Sequence, residues 1–182
     1  MIKFLLAKYK FPFLISLVVS VLIIALRLEV KPLNIVFILL GSFMGTFILD
    51  LDYIFFTYVV EPKHYFSKNV SDLVRNKNYL GVLQYIDYHK KELRNLPLHS
   101  ALFQVCLVIL GFYILSSSQE VFGKALCLTL IAQMFFEQAK DYAENKKLDR
   151  WFWMLKIKPT KQMLIGYFSI LSILFTYFLS LL

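Results

Sequence analysis

The chain has 182 residues, enough for one domain, and 59% of them are hydrophobic, against roughly 45–50% in a soluble globular domain. The formal net charge is +8 at pH 7. The basic residues lie between apolar runs, without the aromatic interleaving of a nucleic-acid surface, so nucleic acid is excluded and membrane lipids are the expected counter-charge. Cys106 and Cys127 both fall inside apolar runs, where they read as small buried hydrophobes and not as a disulfide or a metal site.

The expected fold is all-α, a multi-pass transmembrane helical bundle with about five spans, near residues 11–26, 33–56, 97–115, 120–137 and 162–181. Residues 1–182 form a single integral-membrane domain, with polar segments at 61–96 and 138–161. The first apolar run follows Lys3, Lys8 and Lys10 in the manner of a signal peptide. Its length and the poor cleavage site at Ala25-Leu26-Arg27 favour a retained span. The second span carries the pair Gly41 and Gly45, a spacing that lets two helices approach closely.

Segment 61–96 is polar without being disordered in composition. Tyr79, Leu80, Leu83 and Ile86 recur at helical spacing behind Asn78, a plausible N-cap. An amphipathic helix on the membrane surface fits that pattern, and so does a soluble helix packed on the bundle ends. Pro97 fits the first turn of the third span. Ser117 and Glu120 have capping-box spacing ahead of the fourth. Trp151 and Trp153 stand where interfacial aromatics are expected, and Pro159-Thr160 resets the chain before the uncharged last span.

With five spans, three basic residues in the N-terminal tail, seven in 61–96 and seven in 138–161 share one side. The other side has Arg27, Lys31 and Lys124. The positive-inside rule then places the N-terminus in the cytoplasm of a cell whose inner (plasma) membrane holds the chain.

That threading brings polar side chains to one depth. Asp50 and Asp52 come late in the second span, His99 opens the third, and Gln133 and Glu137 share a face at the end of the fourth. A carboxylate in or near the hydrocarbon region is costly and calls for a partner. His99 and Gln133 are the donors this threading supplies, and His99 is expected to pair with Asp50. The N-terminal position favours the neutral imidazole. Carboxylates and imidazole together are also ingredients of a metal site that activates water. Residues two apart point to opposite faces of a regular helix, so Asp50 and Asp52 can both face the layer only where the helix breaks or ends. Each residue has a structural reading as well: headgroup-level carboxylates, a hydrogen-bonded histidine at a helix start, and Gln133 as interhelical glue.

These stretches resemble the bacterial inner-membrane family of predicted membrane-bound metal-dependent hydrolases, a small helical bundle with an Asp-x-Asp motif, a later histidine motif at a span start and a His-x-x-x-Asp pair. Here they read Leu49-Asp50-Leu51-Asp52-Tyr53, Leu98-His99-Ser100 and Gln133 to Glu137. Leu49 stands where the family has proline, Tyr53 where it has histidine, and Gln133 and Glu137 where it has His and Asp. The resemblance implies a divalent metal, zinc or similar, with Asp50, Asp52, His99 and Glu137 as the ligands that remain, and Asp52 and Glu137 as the catalytic groups. It implies a lipid or small-molecule phosphoester as substrate. The departures imply an incomplete ligand set, and the alternative is a non-catalytic membrane scaffold or interaction protein that kept the bundle.

Overall fold

The computed structural model describes residues 2–90, 92–93, 95–117 and 120–182, excepting the side chains of residues 2–8 and 117. Among them there are eight α-helices and no strand. They are α1 (Ile2–Arg27), α2 (Pro32–Ile48), α3 (Leu51–Phe55), α4 (Tyr65–Arg75), α5 (Tyr79–His89), α6 (Ala101–Ser117), α7 (Val121–Asn145) and α8 (Lys161–Ser180). Two are long and apolar enough to cross a membrane, Tyr9–Arg27 and Lys161–Ser180, and a third crossing results if the bent pair α2 and Leu51–Val60 counts as one. Their outward faces stay apolar, with Leu17 62% and Ile173 69% exposed. Water leaves such surfaces uncovered at a cost that lipid removes.

The bundle is built around α7, which packs on α1, α2, α6 and α8. Its buried positions run all round the helix, from Val121 and Ala125 through Leu128, Ile131 and Met134. The closest approach is to α2, where Gly41 and Gly45 face it. A Cβ on Gly41 would lie 2.5 Å from the Phe122 carbonyl oxygen, and one on Gly45 would lie 2.9 Å from that of Leu126. The glycine spacing in the second apolar run therefore marks a real backbone-to-backbone contact.

The second run is not one straight helix. The chain bends by 43° between α2 and the segment Leu51–Val60. Around the break the bonds shorten to three-residue turns, Asp52 N–H to Leu49 O and Tyr53 N–H to Asp50 O. A π-helical turn over Phe56–Val60 ends the segment. Beyond it α4 and α5 form a smaller apolar cluster with Tyr53 and Phe56, through Phe66, Val70, Val82 and Ile86. Asn78 caps α5 as its sequence indicated, accepting from the Gly81 N–H at 3.0 Å. Helix α4 carries no comparable signal in sequence.

Three local expectations are corrected. Pro97 lies ahead of α6, in the bend 97–100; Ser100 Oγ, which accepts from the Phe103 N–H, caps the helix instead. Cys127 is buried, but Cys106 is exposed on the outer face of α6. Trp151 does not face outward, as an interfacial ring would, but is the largest fully buried side chain in the bundle. Its carbonyl takes the Ala101 N–H at 2.7 Å and so anchors the start of α6. The capping box expected at Ser117 rests on a side chain outside the described residues.

Candidate acid–base site

The break after Ile48 gives Asp50 and Asp52 different neighbours at the same end of the bundle. Asp50 faces α1, where the Tyr9 hydroxyl donates to its Oδ2 at 2.6 Å. Asp52, in the first turn of the bent segment, is fully buried and meets His99. Its Oδ2 accepts twice from that residue, from the backbone N–H at 2.9 Å and from Nδ1 at 2.8 Å. On the far side of the ring, Nε2 lies 2.9 Å from Glu137 Oε2. Asp52, rather than Asp50, is the carboxylate paired with His99. Gln133 stays outside this chain of bonds, donating to the Pro12 carbonyl at 2.7 Å and lying 3.5 Å from Thr46 Oγ1.

The imidazole can satisfy both carboxylates only by donating from both nitrogens, which is the protonated form. Burial alone pushes its pKa down. The hydrogen bonds and charges of Asp52 and Glu137 outweigh burial and hold it up, at about 9. The neutral form expected from a helix N-terminus is thereby corrected. His99 precedes α6 instead of lying in its first turn, and two carboxylates in contact outweigh the half-charge of a helix end.

The ring packs against two aromatic side chains, Tyr53 at 5.6 Å and Trp151 at 5.4 Å between centroids. Trp151 is held in turn by Asp141, which accepts from its Nε1 at 2.7 Å and from Arg150 at 2.6 Å. Arg150 also donates to the Lys90 carbonyl at 3.0 Å, closing the link to the end of α5. Sequence reasoning missed this support. The one available signal was spacing: Asp141 follows Glu137 by four residues and so shares its face of α7.

Exposure rises along the cluster. The side chains of Asp52 and His99 are 0% and 2% exposed, while that of Glu137 is 37% exposed. Glu137 opens on a cavity of about 530 Å³ between α1, α2, α5 and α7, which Asp50 and Gln133 also line. The volume is that of a small-molecule pocket. Deep in the cluster, Asp52 Oδ1 is buried with no hydrogen-bond partner among the described residues.

The arrangement does not fit the divalent metal that the resemblance implied. Both nitrogens of His99 already face carboxylate oxygens, and Asp50 bonds Tyr9 instead of joining the cluster. Among the described residues no group of three or more His, Cys, Asp and Glu is placed to hold a metal ion. Comparison with protein-family models, curated proteins and solved structures finds no match to the chain.

Proposed function

We propose that the chain is an integral protein of the inner membrane that crosses it five times, with its N-terminus in the cytoplasm. The crossings are α1, the bent α2 pair, α6, the first part of α7, and α8. Helix α6 has 17 residues, the short end of the spanning range, and α7 is shielded by its neighbours, so neither needs the hydropathy of a lone span. The unequal distribution of lysine and arginine between the two sides supports the orientation. Reporter fusions after Lys68 and at Leu182 test it; they report opposite sides, and matching sides would overturn the threading.

At the cytoplasmic mouth we read Asp52, His99 and Glu137 as an acid–base centre for hydrolysis of a lipid or phosphoester. The observation that carries this is the exposure gradient, from a sealed carboxylate through a fixed ring to a carboxylate open on a cavity. Glu137 takes a proton from water as the water oxygen bonds to the ester centre. It returns that proton to the leaving oxygen when the ester bond breaks. His99 positions Glu137, and Asp52 orients His99. The competing reading is a non-catalytic scaffold. It is favoured by one bond, the His99 backbone N–H to Asp52, which also ties the start of α6 to α3. Headgroup release from vesicles of phosphatidylethanolamine and phosphatidylglycerol separates the two. On the acid–base reading Glu137→Gln abolishes release in a folded protein, by roughly 10²-fold or more. No release by the unaltered protein would leave the scaffold.

A further inference from the structure

Among the described residues two tyrosines are buried, Tyr9 at 8% and Tyr53 at 5% exposure, and both line the cavity on which Glu137 opens. A buried tyrosine hydroxyl ordinarily has a partner, because an unmatched O–H forfeits the hydrogen bonds it made to water. The Tyr9 hydroxyl follows that rule and donates to Asp50 Oδ2 at 2.6 Å. The Tyr53 hydroxyl makes no hydrogen bond among the described residues, yet it is not sealed as the Ser42 and Thr129 hydroxyls are. What exposure it keeps is toward the cavity.

The fold fixes where this ring stands. At the bend after Ile48 the Tyr53 N–H donates to the Asp50 carbonyl at 3.3 Å, and the Tyr53 carbonyl accepts from the Thr57 hydroxyl at 2.8 Å. The ring packs on the His99 imidazole at 5.6 Å between centroids. His99 Nε2 in turn lies 2.9 Å from Glu137 Oε2. Tyr53 and Glu137 therefore adjoin one imidazole and face one cavity. Charged groups of the same wall already have counterparts: Glu137 has His99, Asp141 has Arg150 and Asp87 has Lys90. The unmatched group beside Glu137 is a neutral O–H donor, and what it lacks is an acceptor oxygen.

We propose that Tyr53 is the residue of the acid–base site that contacts a substrate oxygen. Its hydroxyl donates a hydrogen bond to the non-bridging phosphoester oxygen that gains charge while Glu137 draws a proton from the attacking water. The O–H bond of Tyr53 stays intact through the step, and the proton on the leaving oxygen is the one that Glu137 returns. A fixed donor aimed at developing charge strengthens as that charge grows, so it lowers the barrier more than it tightens binding. The inference rests on the acid–base reading and names a further group of the same site.

The test is steady-state headgroup release from vesicles of phosphatidylethanolamine and phosphatidylglycerol by the full chain. Tyr53→Phe keeps the ring on His99 and removes an oxygen that has no partner in the fold, so the elution volume and melting temperature are expected to hold. Its kcat is expected to fall by roughly 10²-fold or more, with KM little changed. A second variant carries 3-fluorotyrosine at position 53, which keeps the donor and makes its O–H more acidic. Near neutral pH its kcat is expected to equal or exceed that of the unaltered protein, and it decides the question if Tyr53→Phe fails to fold.

Full kcat in folded Tyr53→Phe, a raised KM at unchanged kcat, or a lowered kcat with 3-fluorotyrosine overturns the proposal. Release lost in Glu137→Gln but kept in Tyr53→Phe would end this inference and leave the acid–base centre standing. No release by the unaltered protein would end both.

Discussion

Glu137 and Gln138 are consecutive residues of α7, yet they join two buried polar clusters of opposite character. Gln138 turns toward α6 and α8, where its Nε2 donates to Gln104 Oε1 at 2.6 Å and to the Tyr167 hydroxyl at 3.0 Å. That hydroxyl also donates to Gln104 Oε1. The trio carries no charge, and both glutamines are sealed. Glu137 turns toward α3 and the start of α6, into a cluster with three ionisable members and an open end. A neutral, closed network suffices to hold three helices together. Charge in a bundle interior adds desolvation cost that cohesion does not require, so the second cluster calls for a functional reading.

The comparison breaks first at Asp52. Asp52→Ala removes the acceptor of two bonds and leaves a buried imidazole facing no partner on its inner side. Loss of one member of such a pair costs about 3–5 kcal/mol. Asp52→Asn keeps an acceptor without the charge and falls between Asp52→Ala and the unaltered protein. Thermal unfolding in detergent measures both. An Asp52→Ala protein as stable as the parent would mean that the inner bond contributes nothing.

The neutral cluster responds differently. Gln104→Leu or Gln138→Leu alone strands its partner's polar atoms, at about 1–3 kcal/mol each. The double variant replaces both glutamines by apolar groups of similar size and recovers part of that loss, with the Tyr167 hydroxyl left to find a new partner. In the charged cluster, Asp52→Leu with His99→Leu leaves Glu137 without its donor but open to water. Simple additivity of the two glutamine substitutions would show that they act separately, whatever their 2.6 Å contact.

The clusters separate again with pH. His99 has its pKa raised from 6.5 to about 9 in the fold. A raised folded-state value means that its stabilising contribution is complete below about 6.5 and is lost as pH rises through about 9. The melting temperature therefore falls between pH 7 and 10 by a few degrees more than in Asp52→Asn, where the ring has lost its charged inner partner. Variants at Gln104 or Gln138 keep the full slope. An equal slope in Asp52→Asn would detach the pH response from His99.

How much of this could be read from the residues alone differs between the clusters for a physical reason. Asp50, Asp52, His99 and Glu137 stand out because a charged or titratable residue beside an apolar run is conspicuous. Threading by basic residues put them at one end. The glycine contact was legible because small residues four apart on a helix have few other uses there. Which aspartate meets His99 was not legible, since it depends on the 43° bend after Ile48. No proline or glycine marks that bend. Gln104 and Tyr167 gave no signal, because a single uncharged polar residue is unremarkable in a span. Trp151 was misplaced for the opposite reason. A tryptophan after a basic segment reads as interfacial, and only the tertiary contact with Asp141 draws it inside.

The smallest expected effect is at Glu137, and it decides what the gradient in exposure means. Its side chain is 37% exposed, so water and salt screen its pairing with His99, and the pair resembles a surface ion pair in strength. Glu137→Gln retains an oxygen that can accept from Nε2. The expected cost is therefore about 0–1 kcal/mol, far below that of Asp52→Ala. Headgroup hydrolysis, by contrast, is lost with the carboxylate. A group that contributes little to stability and much to activity is what a cavity-facing end of an acid–base chain should be. If Glu137→Gln instead destabilises the bundle as much as Asp52→Asn, all three residues act as one structural tie. The charged cluster would then differ from the neutral one only in the chemistry by which it holds its helices.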